Sequence, residues 1–147
     1  MTQWDDDHLP DHLFRLFEQA GRRFREEVAA VVAEESITFP VSGSRLRVLE
    51  LIPPGGIRPT ELAARARITK QSLGEMLDAL EGHGLVRRRP DPADGRAWLV
   101  RATPKGRALS AEVDRVAAAA EARLAARFGP PQYRSFRDVL SSLALDG

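Results

Sequence analysis

Apolar residues along the chain recur first at steps of three and four. Leu13, Phe14, Phe17, Ala20, Phe24, Val28, Val31 and Val32 fall on one stripe, the spacing of an amphipathic helix. Pro10 suits its first turn, where a missing amide hydrogen is no loss, and the pattern runs to about Glu35. The stretch from Ile37 to Gly43 contains Pro40 and predicts a connection. Ser44 then stands as the cap of a short helix presenting Leu46, Leu49 and Ile52, which Pro53-Pro54-Gly55-Gly56 ends. Pro59 opens a further short helix, Thr60 to Ala66, with Leu62 and Ala63 inward. Thr69 caps the next, Lys70 to Gly82, whose Leu73, Leu77 and Leu80 share a face.

Past Gly84 the period changes to two. Leu85 to Arg89 and Ala97 to Ala102 are rich in β-formers, and Pro90-Asp91-Pro92-Ala93-Asp94-Gly95 between them is dense in turn residues, so the pair predicts a hairpin with a projecting tip. Pro104 and Gly106 introduce a second long helix, Leu109 to Phe128, which Gly129-Pro130-Pro131 stops. Tyr133, Phe136, Val139, Leu140 and Leu143 trace a last amphipathic helix. Helix, tight connection, helix with a polar start, then a hairpin with a basic tip is the order of a winged helix-turn-helix. The expected fold is therefore mainly α with a small β-hairpin wing. It is one domain over 1–147, with the winged helix-turn-helix at 44–106 and long dimerisation helices at 8–36 and 107–147.

The dimerisation reading comes from a surplus of apolar surface. Phe14, Phe17, Phe24 and three valines at one end, and Leu124, Phe128, Tyr133, Phe136, Leu140 and Leu143 at the other, exceed what one small winged domain can cover. They are expected to pack on a second copy; the alternative is that the two ends pack on each other within one chain.

Composition narrows the class. A chain of 147 residues, 43% hydrophobic and 29% charged, is ordinary for a single globular domain. The absence of cysteine removes disulfides, thiolate metal sites and thiol-based redox sensing. No run approaches the ~20 apolar residues of a membrane span, and Met1 to Asp7 is acidic where a signal peptide needs base, so a soluble cytoplasmic chain with no membrane partner is expected. The net charge of +1 hides an asymmetry: Arg58 to Arg107 holds 11 lysines and arginines against 6 acids, or +5, leaving −4 for the remainder. A basic centre between acidic ends suits a nucleic-acid-reading module.

The second of the paired helices is about as wide as the major groove of DNA, and Lys70, Gln71 and Ser72 occupy its leading turn. Gln71 can pair with an adenine edge in bidentate fashion and Lys70 can reach a guanine or a phosphate. Thr60 and Thr69 can contact phosphates beside helix N-termini. An ordinary capped, solvated helix start would also explain these residues. At the tip, Arg96 can enter a narrow, electronegative minor groove, with Asp94 holding its guanidinium. At least one of Arg87, Arg88 and Arg89 is expected to face phosphates, the others being a charged strand that resists edge pairing.

The run Arg58-Pro59-Thr60-Glu61-Leu62-Ala63, then Ile68-Thr69-Lys70-Gln71-Ser72-Leu73, then Leu77 through Arg88, resembles the helix-turn-helix and first wing strand of MarR-family regulators. Asp91-Pro92-Ala93-Asp94-Gly95-Arg96, followed by Leu99 through Gly106, is similar to that family's wing and the start of its next helix. The resemblance implies a homodimer with interlocked terminal helices, binding double-stranded DNA at a pseudo-palindromic operator as a ligand-responsive repressor. It gives the leading turn of the recognition helix to Thr69–Ser72, the close of the first wing strand to Arg88, and the wing-tip pair to Asp94 and Arg96. It also implies a small aromatic or apolar effector, an anion bound between the dimerisation helices and the winged region near Phe14, Arg15, Phe17 or Phe39. Three positions depart from the pattern: Arg67 stands where a turn glycine is common, Gly95 where an arginine is frequent, and Ala102 where leucine is usual.

No cofactor or enzymatic activity is expected, since phosphate-binding glycine loops and nucleophile elbows are missing. His8 and His12, four apart beside Asp7 and Asp11, could hold a metal, but an acidic, frayed helix start explains them better and no metal is expected. The remaining alternative is a winged helix used for protein contacts without specific DNA binding.

Overall fold

The computed structural model describes residues 12–145, which form six helices and one antiparallel hairpin: α1 (Leu13–Glu34), α2 (Gly43–Glu50), α3 (Pro59–Ala66), α4 (Lys70–Gly82), β1 (Val86–Asp91), β2 (Asp94–Ala102), α5 (Pro104–Phe128) and α6 (Pro130–Leu145). Pro10, and His8 with Asp7 and Asp11, lie outside the described residues. The chain divides into two compact units, one of Thr38–Arg115 and one of Met1–Ile37 with Val116–Gly147; α5 contributes its first half to the former and its second half to the latter.

In the Thr38–Arg115 unit the core is built from three short helices and the hairpin base. Leu46, Val48 and Leu49 of α2, Leu62 of α3 and Leu73, Leu77 and Leu80 of α4 are buried together with Leu85, Val86 and Val100. Each such leucine or valine contributes roughly 1.5–3 kcal/mol through removal from water. The 4–3 spacing of the three leucines in α4 is what turns its opposite face outward.

Thr69 caps α4 as expected: its hydroxyl accepts from the Ser72 amide at 3.1 Å. The cap of α2 differs. Ser42, not Ser44, precedes the first turn, and its carbonyl accepts from Arg45 and Leu46, both at 3.0 Å. Burial of Val41 fixes the chain just before this point, so the helix starts earlier than a side-chain cap at Ser44 would allow. Helix α5 also starts earlier, at Pro104, because the Thr103 hydroxyl accepts the Gly106 amide at 3.0 Å.

The hairpin is tighter than its turn-rich sequence suggests. Val86 pairs with Ala102, Arg88 with Val100 and Pro90 with Trp98, and the ladder persists to Asp91 opposite Asp94, with a register shift between Pro90 and Asp91. Only Pro92 and Ala93 remain as the turn, where a six-residue loop was expected. Pro90 is tolerated because β1 is an edge strand, and Asp91 is held in the ladder by a side-chain tie described below. On the other side of β2, Ile57 forms an isolated antiparallel bridge with Val100.

In the second unit Val31 of α1 and Val116 and Ala120 of α5 are buried. Arg123 of α5 pairs with Glu34 at the end of α1, and that guanidinium holds the Glu34 carboxyl below its usual range. Glu121 accepts from Tyr133 at 3.0 Å and from Arg137 at 2.6 Å, tying α6 to α5. Much apolar surface stays open: Phe14 is 70% exposed, and Phe128, Phe136, Val139 and Leu143 are at least half exposed. Among the described residues no helix is long and apolar enough to cross a membrane.

Candidate nucleic-acid interface

Helix α3 ends in a backbone conformation that sets the angle at which α4 emerges. Ile68 donates to the Ala63 carbonyl and Arg67 to that of Ala64, both at 3.1 Å, the Schellman arrangement that normally places glycine at the second of these amides' residues. Here Arg67 occupies it with φ 54° and ψ 44°. The left-handed turn is thus made without a glycine, and the departure noted in the sequence is a strained residue rather than a differently built turn.

From this turn α4 projects Lys70 and Gln71, both exposed, while Ser72 is half-buried and engaged by the cap. Thr69 donates its hydroxyl to Ser72 Oγ at 3.0 Å as well as accepting the Ser72 amide, so the two residues form a closed polar pair at the helix start. Thr60, exposed in the first turn of α3, shares the walls of a shallow cavity of about 140 Å³ with Pro59, Lys70, Gly74 and Arg88. The structure thus brings Thr60, Lys70 and Arg88 together at one place, with Gln71 beside them along α4.

Arg88 is committed to α4. Its guanidinium donates to Asp78 at 2.8 Å, to Glu81 at 3.3 Å and to the Gly74 carbonyl at 3.5 Å, and its amide donates to Glu81 at 3.2 Å. One strand of the wing is therefore clamped to the recognition helix by a single side chain. Arg87 and Arg89 are exposed on the alternate face of β1, and Arg101 is exposed directly across from Arg87.

At the wing tip Asp94 does not hold the guanidinium of Arg96, contrary to expectation. Its carboxylate accepts the Arg96 backbone amide at 3.1 Å. In so short a turn the nearest donor to an aspartate is the amide two residues on, an Asx-type closure, and the Arg96 side chain is exposed. Asp94 therefore shapes the backbone from which Arg96 projects.

Two residues that sequence reasoning passed over anchor the wing. Asp91 is buried, and its carboxylate accepts from Arg58 Nε at 2.9 Å, Arg58 Nη2 at 2.7 Å and the Ala93 amide at 2.9 Å. The Ala93 amide and the Arg58 guanidinium hold the Asp91 carboxyl below its usual range. Arg58 immediately precedes α3, where serine, threonine or aspartate would ordinarily cap. An arginine there was the one available signal that its side chain is used elsewhere.

The residues proposed for an effector are divided between the units. Phe39 packs against the core of the Thr38–Arg115 unit. Phe17 lines an open apolar groove of about 840 Å³ in the other unit, with Phe24, Leu124, Phe136 and Leu140; Phe14 and Arg15 are not among its walls. Among the described residues no cluster of three or more histidine, cysteine, aspartate or glutamate side chains could hold a metal ion.

Residues 44–98 match the sequence model of the MarR family. Over 142 residues the chain is 35% identical to the HTH-type transcriptional repressor Rv2887 of Mycobacterium tuberculosis, covering 97% of both proteins. Among solved structures it aligns with the transcriptional repressor CouR, a Rhodococcus jostii protein, bound to a 23-mer DNA duplex (TM-score 0.72, 30% identity, 97% of this chain and 99% of that one). It also aligns with the M. tuberculosis MarR family protein Rv2887 in complex with p-aminosalicylic acid (TM-score 0.64, 31% identity, 90% of this chain and 98% of that one). With a repressor relative matched over nearly its whole length and a winged helix-turn-helix of the same order, this chain belongs to the MarR family.

Proposed function

We propose that the chain is a sequence-specific, double-stranded-DNA-binding transcriptional repressor that acts in the cytoplasm as a homodimer and carries no enzymatic activity of its own. The observation that carries this reading is the pairing of two exposed polar projections on one unit, each bearing a cation: Lys70 with the neutral Gln71 at the start of α4, and Arg96 at the tip of a wing that Arg88 clamps to the same helix. Gln71 reads a base in the major groove, Lys70 contacts a base or phosphate beside it, and Arg96 enters the adjacent minor groove. Thr60, at the start of α3, contacts a phosphate, and the Thr69–Ser72 pair fixes the register of the leading turn. Arg88 and Asp94 act by positioning, since their polar groups are engaged within the chain.

Dimerisation rests on the exposed apolar faces of α1, α5 and α6, which a second copy would cover. The effector is a small aromatic acid that releases DNA by changing the spacing of the two recognition helices, a class suggested by the p-aminosalicylic acid complex of the relative.

Selection of binding sites from random duplexes tests this function. The expected product is an inverted repeat with half-sites about one helical turn apart, and Gln71→Ala should relax preference at one position in each half by about 1–3 kcal/mol. Recovery of no enriched sequence, or of one indifferent to Gln71, would remove the assignment.

A further inference from the structure

We infer that Arg58 and Asp91 are a positioning pair for DNA binding: they lock the outer end of the wing to the start of α3 and thereby fix where Arg96 stands relative to the recognition helix. The inference rests on the DNA-binding reading above and adds to it two residues that touch no DNA.

The hairpin is attached to its unit at two levels. At its base, Ile57 exchanges backbone hydrogen bonds with Val100 at 3.0 and 2.9 Å, and Arg88 ties β1 to α4. These attachments alone would leave the outer ladder residues as a free two-stranded ribbon, which is marginally stable in water. At its outer end Arg58, the next residue after Ile57, reaches across to Asp91 with two donors on one carboxylate oxygen, while the other oxygen closes the turn through Ala93. Asp91 is the last residue of β1 and sits opposite Asp94, two residues before Arg96. From Arg88 to Asp91 is three residues, or about 10 Å of strand. A tilt of the ribbon on its base would therefore move the tip by a sizeable part of the minor groove's ~6 Å width.

Direct recognition does not account for the pair. The Asp91 side chain is only 9% exposed, and its charge would repel phosphate. A mere brace for the fold would make binding losses follow stability losses, and this is what the test separates.

The experiment is a double-mutant cycle on duplex binding by the full chain, using D91N, R58Q and R96A, with thermal unfolding of each variant. The replacement amide in D91N still accepts from Ala93, so the turn is kept and only the charged tie to Arg58 is lost. R58Q removes the same tie from the more exposed partner and serves should D91N fail to fold. The expected result is that either variant binds about tenfold more weakly while remaining folded at the assay temperature, and that R96A, which weakens the unsubstituted protein about tenfold, weakens D91N or R58Q less than about threefold. Minor-groove protection at the wing should fade in the variants while major-groove protection at α4 persists. R58K, which keeps a cation near Asp91, should recover part of the loss. An undiminished R96A effect in both variants, or wild-type affinity in both, would overturn the inference and leave the DNA-binding reading standing. Failure of the unsubstituted protein to bind any duplex would overturn both.

Discussion

Replacing Arg67 with glycine is expected to make the protein more stable. Arg67 sits at φ 54°, ψ 44°, where a side chain crowds its own carbonyl at a cost of about 1–2 kcal/mol. Glycine escapes that penalty but loses more freedom on folding, roughly 0.5–1 kcal/mol. The difference leaves a gain of about 0.5–1 kcal/mol. For a domain of this size that corresponds to a rise in Tm of about 1–4 °C at fixed protein concentration. The side chain is exposed and joins none of the ion pairs among the described residues, so little else is lost. Arg67→Ala is the control, because it removes the guanidinium but keeps Cβ in the same crowded geometry. Urea unfolding of the three proteins should rank glycine above the other two, which should be nearly equal. An alanine variant as stable as the glycine variant would refute the backbone argument and place the effect in the arginine's charge. A glycine variant less stable than the parent would mean that the left-handed turn is not strained.

Three further outcomes follow from the same geometry. Gly106→Ala would place a Cβ 2.0 Å from the Leu85 carbonyl oxygen; denaturant unfolding should show a loss of about 1–3 kcal/mol or more, and parent-like stability would contradict the close approach of α5 to the residue that leads into β1. Arg88→Ala leaves Asp78 and Glu81 facing each other without their shared cation. Stability should fall by only about 0.5–1 kcal/mol, duplex affinity should fall further, and adding Asp78→Asn should restore part of the affinity if repulsion is the cause. The Asp91 carboxyl titrates below its usual range in the folded chain, so its contribution to stability is complete above the unfolded value of about 3.9 and is lost as pH falls through the depressed folded value. Asp91→Asn should therefore flatten the acid limb of stability against pH; an unchanged limb would show that neither the Ala93 amide nor Arg58 stabilises the Asp91 carboxylate on folding.

What could be read from the sequence was whatever depends on neighbours a few residues apart. Thr69 followed by Leu73, Leu77 and Leu80 fixed the start and the inner face of α4, and the structure has that helix at the same residues. Alternation around Val86 and Val100 located the hairpin, but its length was misjudged because turn-forming residues at Pro90 and Asp91 are kept in the ladder by a partner 33 residues away. The same distance hid the role of Arg58. Asp94 illustrates a subtler limit: proximity to Arg96 was correct, yet a short turn offers the backbone amide before the mobile guanidinium. The clamp on Arg88 was likewise out of reach, since Asp78 and Glu81 look like an ordinary solvated helix face until the strand is laid beside them.

The most direct test of the whole account is the affinity of the purified protein for its selected duplex as a function of salt, with the number of chains per duplex determined at saturation. Two chains per duplex, and a loss of about a hundredfold or more between 50 and 200 mM salt, are expected of a dimer that neutralises several phosphates through Lys70, Arg96 and their counterparts. A single chain per duplex, or an affinity that hardly changes across that range, would contradict it.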